Sequence, residues 1–250
     1  MNFQLRKQHI LAVLAQRGSL EVAEIARQLQ ATPITIRRDL AQLAAQGLLV
    51  RAHGGAVRPG VAKNPVAFAR KAAANPDRKA YICRLAAAEV AAGDTIFIDC
   101  GSTVLPLCAL VRHLKIRVVT NSLPVLFELV GSAAQVVLAG GEVDAERQAT
   151  HGTVAVEQLR RYQVDKAFLG VDGFSLRRGL TANSEAEAAI SLAVAAGARH
   201  VYLLCDASKL EQDKYLQFAP LSSIGTLITD SAAPPEVLAQ YQEAGLRVLS

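Results

Sequence analysis

From residue 78 to residue 250, short β-branched runs alternate with alanine-rich stretches of helical spacing. The runs are TIFID (95–99), IRVVT (116–120), QVVLA (135–139), KAFLGV (166–171), VYLLC (201–205), TLIT (226–229) and RVLS (247–250). Helical patterns fit near 78–92, 103–113, 122–131, 153–162, 184–197 and 235–244. Apolar runs this short and continuous suit strands covered on both faces. Alternating strands and helices imply a mainly parallel sheet with helices on both sides for this part of the chain. Such sheets bind ligands beyond the carboxyl ends of their strands, so function is to be sought in the loops that follow the runs.

The first residues have a different texture. Phe3, Ile10, Val13 and Leu14 share a helical face between about 3 and 17, and Gly18-Ser19 breaks the pattern. Val22, Ile25, Ala26 and Leu29 then recur at the spacing of a short amphipathic helix. Gln30-Ala31 reads as a tight turn. Thr32 is a suitable N-cap and Pro33 a suitable first helical residue for a third helix, which runs to about Gln46 and stops at Gly47. LLVRAHGGAV reads as two short strands turning near Gly54-Gly55. Three short helices and a small hairpin make a winged helix-turn-helix. Three prolines and no clear strand follow, which suggests a linker. The expected organisation is therefore a winged helix-turn-helix at 1–57, a linker at 58–77 and an α/β domain at 78–250.

Charge separates these parts as well. Residues 1–79 carry 13 Lys and Arg against 4 Asp and Glu, while the rest of the chain carries 14 against 18. A basic amino-terminal part on a mildly acidic body points to a polyanionic partner for that part alone, or else to a solvated basic face. No apolar stretch reaches the ~18 residues of a membrane span, and the start has no signal-peptide core, so the cytoplasm is expected and no membrane contact. Cys83, Cys100, Cys108 and Cys205 form no C-x-x-C pair, and the five histidines stand apart. Free thiols and neither a metal site nor a cofactor are expected.

On a wheel of 100° per residue, Ile36, Leu40 and Leu43 form the core stripe of the third helix. Arg38 falls opposite, flanked by Thr35 and Gln42, with Ile34, Ala41 and Ala45 completing a low outer surface. Such a surface suits a major groove: Arg38 could read guanine and Ile34 could touch a thymine methyl. Arg37, on the flank, suits a phosphate, as do the Thr32 and Thr35 hydroxyls at the helix start. Arg51 and His53 on the wing would add backbone or minor-groove contacts. The plainer reading is that the arginines are exposed helix formers paired with Asp39 or Glu24.

TIRRDL (35–40) followed by GLLVRAHGGAV (47–57) resembles the paired motif of the DeoR family of bacterial transcription regulators. The likeness continues through DCGST (99–103), TNS (120–122), LAGG (138–141), DKAFLGVDG (165–173), GLT (179–181) and DASK (206–209), covering nearly the whole chain. It implies a DNA-binding domain followed by a sensor that resembles ribose-5-phosphate isomerase, together with a phosphorylated sugar or related metabolite as effector. The partners implied are double-stranded operator DNA and that effector. A dimer or tetramer is expected, because paired half-sites multiply affinity.

The strand ending at Asp99 meets a Gly101-Ser102-Thr103 loop, whose amides, hydroxyls and following helix start suit a phosphate. Thr120, Asn121 and Ser122 follow the next strand and could reach phosphate or sugar hydroxyls; Ser122 could instead only cap its helix. Gly140 and Gly141 follow the third strand and permit close backbone approach, and Asp172 follows the fourth. Lys209, after the fifth, is the natural counterion of a phosphate, and Glu185 is a further candidate for hydroxyl contacts. Isomerases of related type carry an acidic D-G-A-D-E motif and a K-G-G-G loop. Here the matching stretches are GVDGF and RRGLT, which keep Asp172 but not the acidic pair or the lysine. Asp144 stands where many relatives have a basic residue after the Gly-Gly, although Arg147 could compensate. The expectation is a ligand-responsive DNA-binding regulator, acting as a repressor of carbohydrate genes, and not a catalyst; the alternative is a sugar-phosphate isomerase with an accessory DNA-binding domain.

Overall fold

All seven apolar runs become strands of one seven-stranded sheet in the computed structural model, which describes residues 3–17, 19–45, 48–52, 55–57, 68 and 71–250. The chain divides into two units, residues 1–67 and 68–250.

In the first unit, helices α1 (Phe3–Arg17), α2 (Val22–Gln28) and α3 (Pro33–Ala45) accompany strands β1 (Ser19–Glu21), β2 (Val50–Ala52) and β3 (Gly55–Val57). Ile10, Leu14, Ile25, Ile36, Leu40 and Leu43 make the core, so the wheel identified the buried stripe of α3 correctly. The turn between α2 and α3 takes Gln30 into left-handed backbone, with φ 50°. The Thr32 side chain accepts from the Thr35 amide at 3.2 Å, which is the expected N-cap. Strand β1 pairs with β3, and β3 with β2, in antiparallel register. The sequence reading missed β1, because three residues directly after a helix give no period to detect. Gly55 allows the pairing: a Cβ there would stand 1.9 Å from the Leu20 carbonyl oxygen.

In the second unit, helix α4 (Pro76–Ala88) precedes the strands β4 (Thr95–Ile98), β5 (Arg117–Thr120) and β6 (Gln135–Leu138). The sheet continues with β9 (Val164–Leu169), β12 (Ala198–Leu204), β14 (Thr226–Ile228) and β15 (Arg247–Leu249). Their order is β15-β14-β12-β9-β4-β5-β6, and each adjacent pair is parallel. Side chains alternate between two cores, as the two-residue period of a strand requires. Ile96, Ile98 and Phe168 enter one, under α4, α5 (Leu107–Val111) and α6 (Leu123–Leu129). Phe97, Ala167 and Leu169 enter the other, under α7 (Gly152–Leu159), α8 (Glu185–Gly197) and α9 (Pro235–Glu243).

The strand order places the site. From β4 the chain moves outward to β5 and β6, then returns to the far side of β4 to lay down β9 and the remaining strands. The loops after β4 and β9 therefore leave the sheet in opposite directions and open a crevice between them.

Two additions to the parallel sheet were not anticipated. Strands β7 (Glu142–Asp144) and β8 (Ala149–His151) form a hairpin, and β10 (Gly173–Ser175), β11 (Gly179–Ala182) and β13 (Leu216–Ala219) form a small antiparallel sheet. The expected helix at 103–113 is shorter than its pattern. Pro106 lacks an amide proton, the chain turns through 102–106, and only Leu107–Val111 is helical. Residues 71–77, assigned to the linker from the sequence, carry contacts of the second unit, including a Lys71 hydrogen bond to Asp172. Among the described residues no helix is long and apolar enough to cross a membrane.

Candidate effector pocket and nucleic-acid surface

On α3, Thr32, Pro33, Ile34, Arg37, Arg38 and Gln42 are exposed and Thr35 is half-buried. Ile34 is 71% exposed on this helix. Asp39 points the other way: it is buried and takes Arg6 in a two-pronged ion pair, with Nε at 2.5 Å and Nη2 at 3.0 Å. Asp39 is thus engaged by Arg6 rather than by the arginines beside it. No ion pair joins Arg37 or Arg38 to another described residue. The Arg51 backbone pairs with Ala56 in the wing, and His53 lies outside the described residues.

In the second unit a pocket opens at the reversal between β4 and β9. Asp99, Gly101, Ser102, Thr103, Asn121, Asp172 and Lys209, all named from the sequence, line it. Asp99 is buried at its floor and accepts from the Gly170 amide at 3.0 Å, tying the two diverging loops together. Burial holds its carboxyl above the ordinary range, opposed by the amides of Gly170 and Cys100. Thr103 Oγ1, Asn121 Oδ1 and both ring nitrogens of His151 are buried without a hydrogen-bond partner among the described residues. Buried polar atoms are rarely left so, and these line one pocket, where a ligand's polar groups can satisfy them.

One end of the site is cationic. Lys79, only 4% exposed, donates from Nζ to Ser102 Oγ at 3.1 Å and to the Lys71 carbonyl. Burial lowers its pKa, and the charges of Lys209 and Lys71 lower it further. Lys209 donates to the Val171 carbonyl at 2.8 Å from a short 3-10 turn that Asp206 caps through the Ser208 amide. Lys71, Lys79, Ser102, Lys209 and Lys214 all border the adjoining groove.

The other end interleaves opposite charges. Arg147 grips both carboxylate oxygens of Glu187, with Nη2 to Oε2 at 2.7 Å, and reaches Asp172 at 3.5 Å. Asp172 also takes Lys71 at 3.4 Å and the Asn183 amide at 3.2 Å. Burial opposes ionisation of Asp172, but Lys71, Arg147 and the Asn183 amide outweigh it and hold the carboxyl below the ordinary range. Burial pushes Glu187 up to about 7 against the pull of Arg147.

Five named residues lie elsewhere. Thr120 is buried under the sheet edge and donates to the Ile98 carbonyl at 2.6 Å. Ser122 caps α6 by accepting from the Val125 amide at 3.3 Å. The Gly140 amide is taken by Gln158 Oε1 at 2.7 Å. Gly141 does permit a close approach, but to protein: a Cβ would stand 2.4 Å from the His151 carbonyl oxygen. Glu185 is exposed at the start of α8, and two residues later Glu187 lines the pocket. Lys71, Lys79, His151, Cys100 and Glu187 were not named from the sequence, because nothing in their local spacing reveals a shared pocket. Cys83, Cys108 and Cys205 are buried free thiols, whereas Cys100 lines the pocket.

Comparison with known proteins covers both units. The profile described as the DeoR-like helix-turn-helix domain matches residues 6–60, and that of the DeoR C terminal sensor domain matches 74–231. The HTH-type transcriptional regulator YgbI of Escherichia coli is 32% identical over 92% of this chain and 90% of its own. The glycerol-3-phosphate regulon repressor of Escherichia coli is 31% identical over 93% of each chain. The HTH-type transcriptional repressor GlcR of Bacillus subtilis is 32% identical over 88% of this chain and 86% of its own. Among solved structures, ribose 5-phosphate isomerase A of Methanocaldococcus jannaschii aligns over 55% of each chain with 21% identity and a TM-score of 0.41, too loose a likeness to bear on function. Two domain matches in tandem, together with relatives aligned along almost the whole length, make this chain a member of the DeoR family of DNA-binding transcriptional regulators.

Proposed function

We propose that the chain represses its target genes from the exposed face of α3 and releases them when a phosphorylated sugar or related metabolite enters the pocket of the second unit. The observation that carries the effector reading is the convergence of Lys71, Lys79 and Lys209 beside Ser102. Burial and the charges of Lys209 and Lys71 lower the proton affinity of Lys79, and a phosphate dianion bound beside these cations would compensate their charge. The far end of the pocket, with Arg147, Asp172 and Asn121, offers donors and acceptors for hydroxyl groups. Control of DNA affinity requires different effector affinity in the DNA-competent and DNA-incompetent states. A homodimer or tetramer acting in the cytoplasm completes this reading.

Binding without turnover is favoured by the state of Asp172. Lys71, Arg147 and Asn183 hold its carboxylate in place, and the neighbouring acidic pair of the isomerase motif is missing. A sugar-phosphate isomerase would instead convert pentose or hexose phosphates, and a direct turnover assay separates the two.

The deciding experiment is a thermal-shift screen of the full chain with phosphorylated sugars and their unphosphorylated counterparts. At 100-fold excess over Kd a true effector adds about 2.7 kcal/mol of stability. The shift should require the phosphate and should disappear in Lys209→Gln. A panel without a single phosphate-dependent shift removes the effector reading and leaves a DNA-binding protein governed by other means.

A further inference from the structure

Cys100, His151 and Glu187 come from three separate elements: the loop after β4, the end of β8 and the first turn of α8. Their sulfur, imidazole nitrogen and carboxylate oxygen all lie within 4.8 Å of one another, and all three residues line the pocket. We propose that these three side chains bind a zinc ion, which would keep a coordination position open toward the pocket.

Four observations support the site. The donor set comes first: thiolate, imidazole and carboxylate are the ligands zinc takes, and three protein ligands with an open fourth position are its usual arrangement where it meets a small molecule. Second, His151 is only 5% exposed, and neither ring nitrogen has a hydrogen-bond partner among the described residues. An imidazole packed in this way normally has at least one nitrogen engaged; a metal ion would engage one. Third, Arg147 fixes the orientation of the Glu187 carboxylate by gripping both oxygens, and each oxygen keeps a second lone pair for an ion. Fourth, the separation is close to what coordination needs. Zinc bonds of ~2.0–2.3 Å put tetrahedral ligands about 3.5 Å apart, so side-chain shifts on the order of 1 Å close the set.

Burial holds the Cys100 thiol well above its ordinary range and lowers the pKa of His151. The imidazole therefore meets the ion neutral, and the thiol gives up one proton to solvent as the sulfur–metal bond forms. No electron transfer or co-reactant is needed. The ion would add positive charge to the pocket and could accept a hydroxyl or carbonyl oxygen of a bound metabolite. Only that last step depends on the effector reading; metal binding does not.

The test is a Co2+ titration of untagged full-length protein, kept reduced with a phosphine and free of chelators. The expected result is one Co2+ per chain, an intense sulfur-to-metal band in the near ultraviolet, visible bands of four-coordinate Co2+, and bleaching by Zn2+. Cys100→Ser should abolish the sulfur band while thermal midpoint and far-ultraviolet circular dichroism stay unchanged. His151→Gln should weaken Co2+ at least ~10-fold. Absence of the sulfur band in the wild-type protein overturns the proposal and makes the three residues plain pocket lining. A band that persists in Cys100→Ser overturns it too, by placing the ion on another cysteine. If Cys100→Ser does not fold, the His151→Gln titration decides: weakened binding supports the site, and unchanged affinity rejects it.

Discussion

Arg37 and Arg38 are exposed neighbours for which we propose different tasks. Arg38 lies opposite the buried Ile36, Leu40 and Leu43, on the face that carries the exposed Ile34 and Gln42. Replacing Arg38 by Ala should cost roughly 1–3 kcal/mol on operator DNA and blur base preference, as read by competition binding against random sequence. Equal losses on operator and random DNA would reject base reading. Arg37 sits on the flank, and Arg37→Ala should flatten the slope of log affinity against log salt by about one unit. An unchanged slope would mean that this side chain meets no phosphate. The exposure on which those proposals rest was legible because an exposed helix face is a property of spacing alone. In the pocket the residue scale is less transparent. Sequence position nominated Glu185, yet Ser184 caps α8 through the Glu187 amide, and it is Glu187 whose side chain reaches Arg147. Lys79 was hidden for another reason: a lysine in a basic stretch reads as a solvated charge, and only burial beside Ser102 marks it as part of a site.

At the scale of elements, the parallel sheet was readable throughout because each of its strands is a compact apolar run. The β7–β8 hairpin was not, since EVD and ATH are too short and too polar to show a period. That hairpin nevertheless frames Arg147 and ends in His151, so it supplies much of the pocket's far end. Gly141 sets its departure with φ 148° and no room for a Cβ. Gly141→Ala should cost about 1–3 kcal/mol. It should also weaken effector binding, measured by calorimetry, while operator affinity of the effector-free protein stays near wild type. Retained effector affinity would show that the hairpin is not needed to shape the pocket. A core substitution should behave differently. Phe97→Ala, beneath the sheet and away from the pocket wall, should cost roughly 3–5 kcal/mol in urea unfolding of the second unit, through lost transfer energy and a cavity.

For the whole molecule, one surface cluster closes the second unit upon itself. Glu89, which caps the end of α4, takes Arg247 of the edge strand β15 in two hydrogen bonds at 2.8 and 2.9 Å and the Tyr202 hydroxyl of β12 at 3.0 Å. The Arg247 guanidinium, assisted by Tyr202, outweighs partial burial and holds the Glu89 carboxyl below its ordinary value. The unfolded chain therefore binds the proton more readily than the folded one. The resulting stability is fully present at neutral pH and declines as pH falls through the ordinary carboxylate range toward the lowered value. Glu89→Gln should destabilise the protein at pH 7, and its difference from wild type should narrow as pH falls below the ordinary carboxylate range, as read by urea midpoints. A difference that does not narrow in acid would assign the effect to packing instead of charge.

The reversal of strand order between β4 and β9 also has a consequence in time. It draws the pocket from residues as distant as Asp99 and Lys209, whereas the winged helix-turn-helix motif is complete at residue 57. On the ribosome, at roughly 5–20 residues per second, α3 is finished on the order of ten seconds before Lys209 is made. Each nascent chain thus completes its helix-turn-helix domain before its pocket exists.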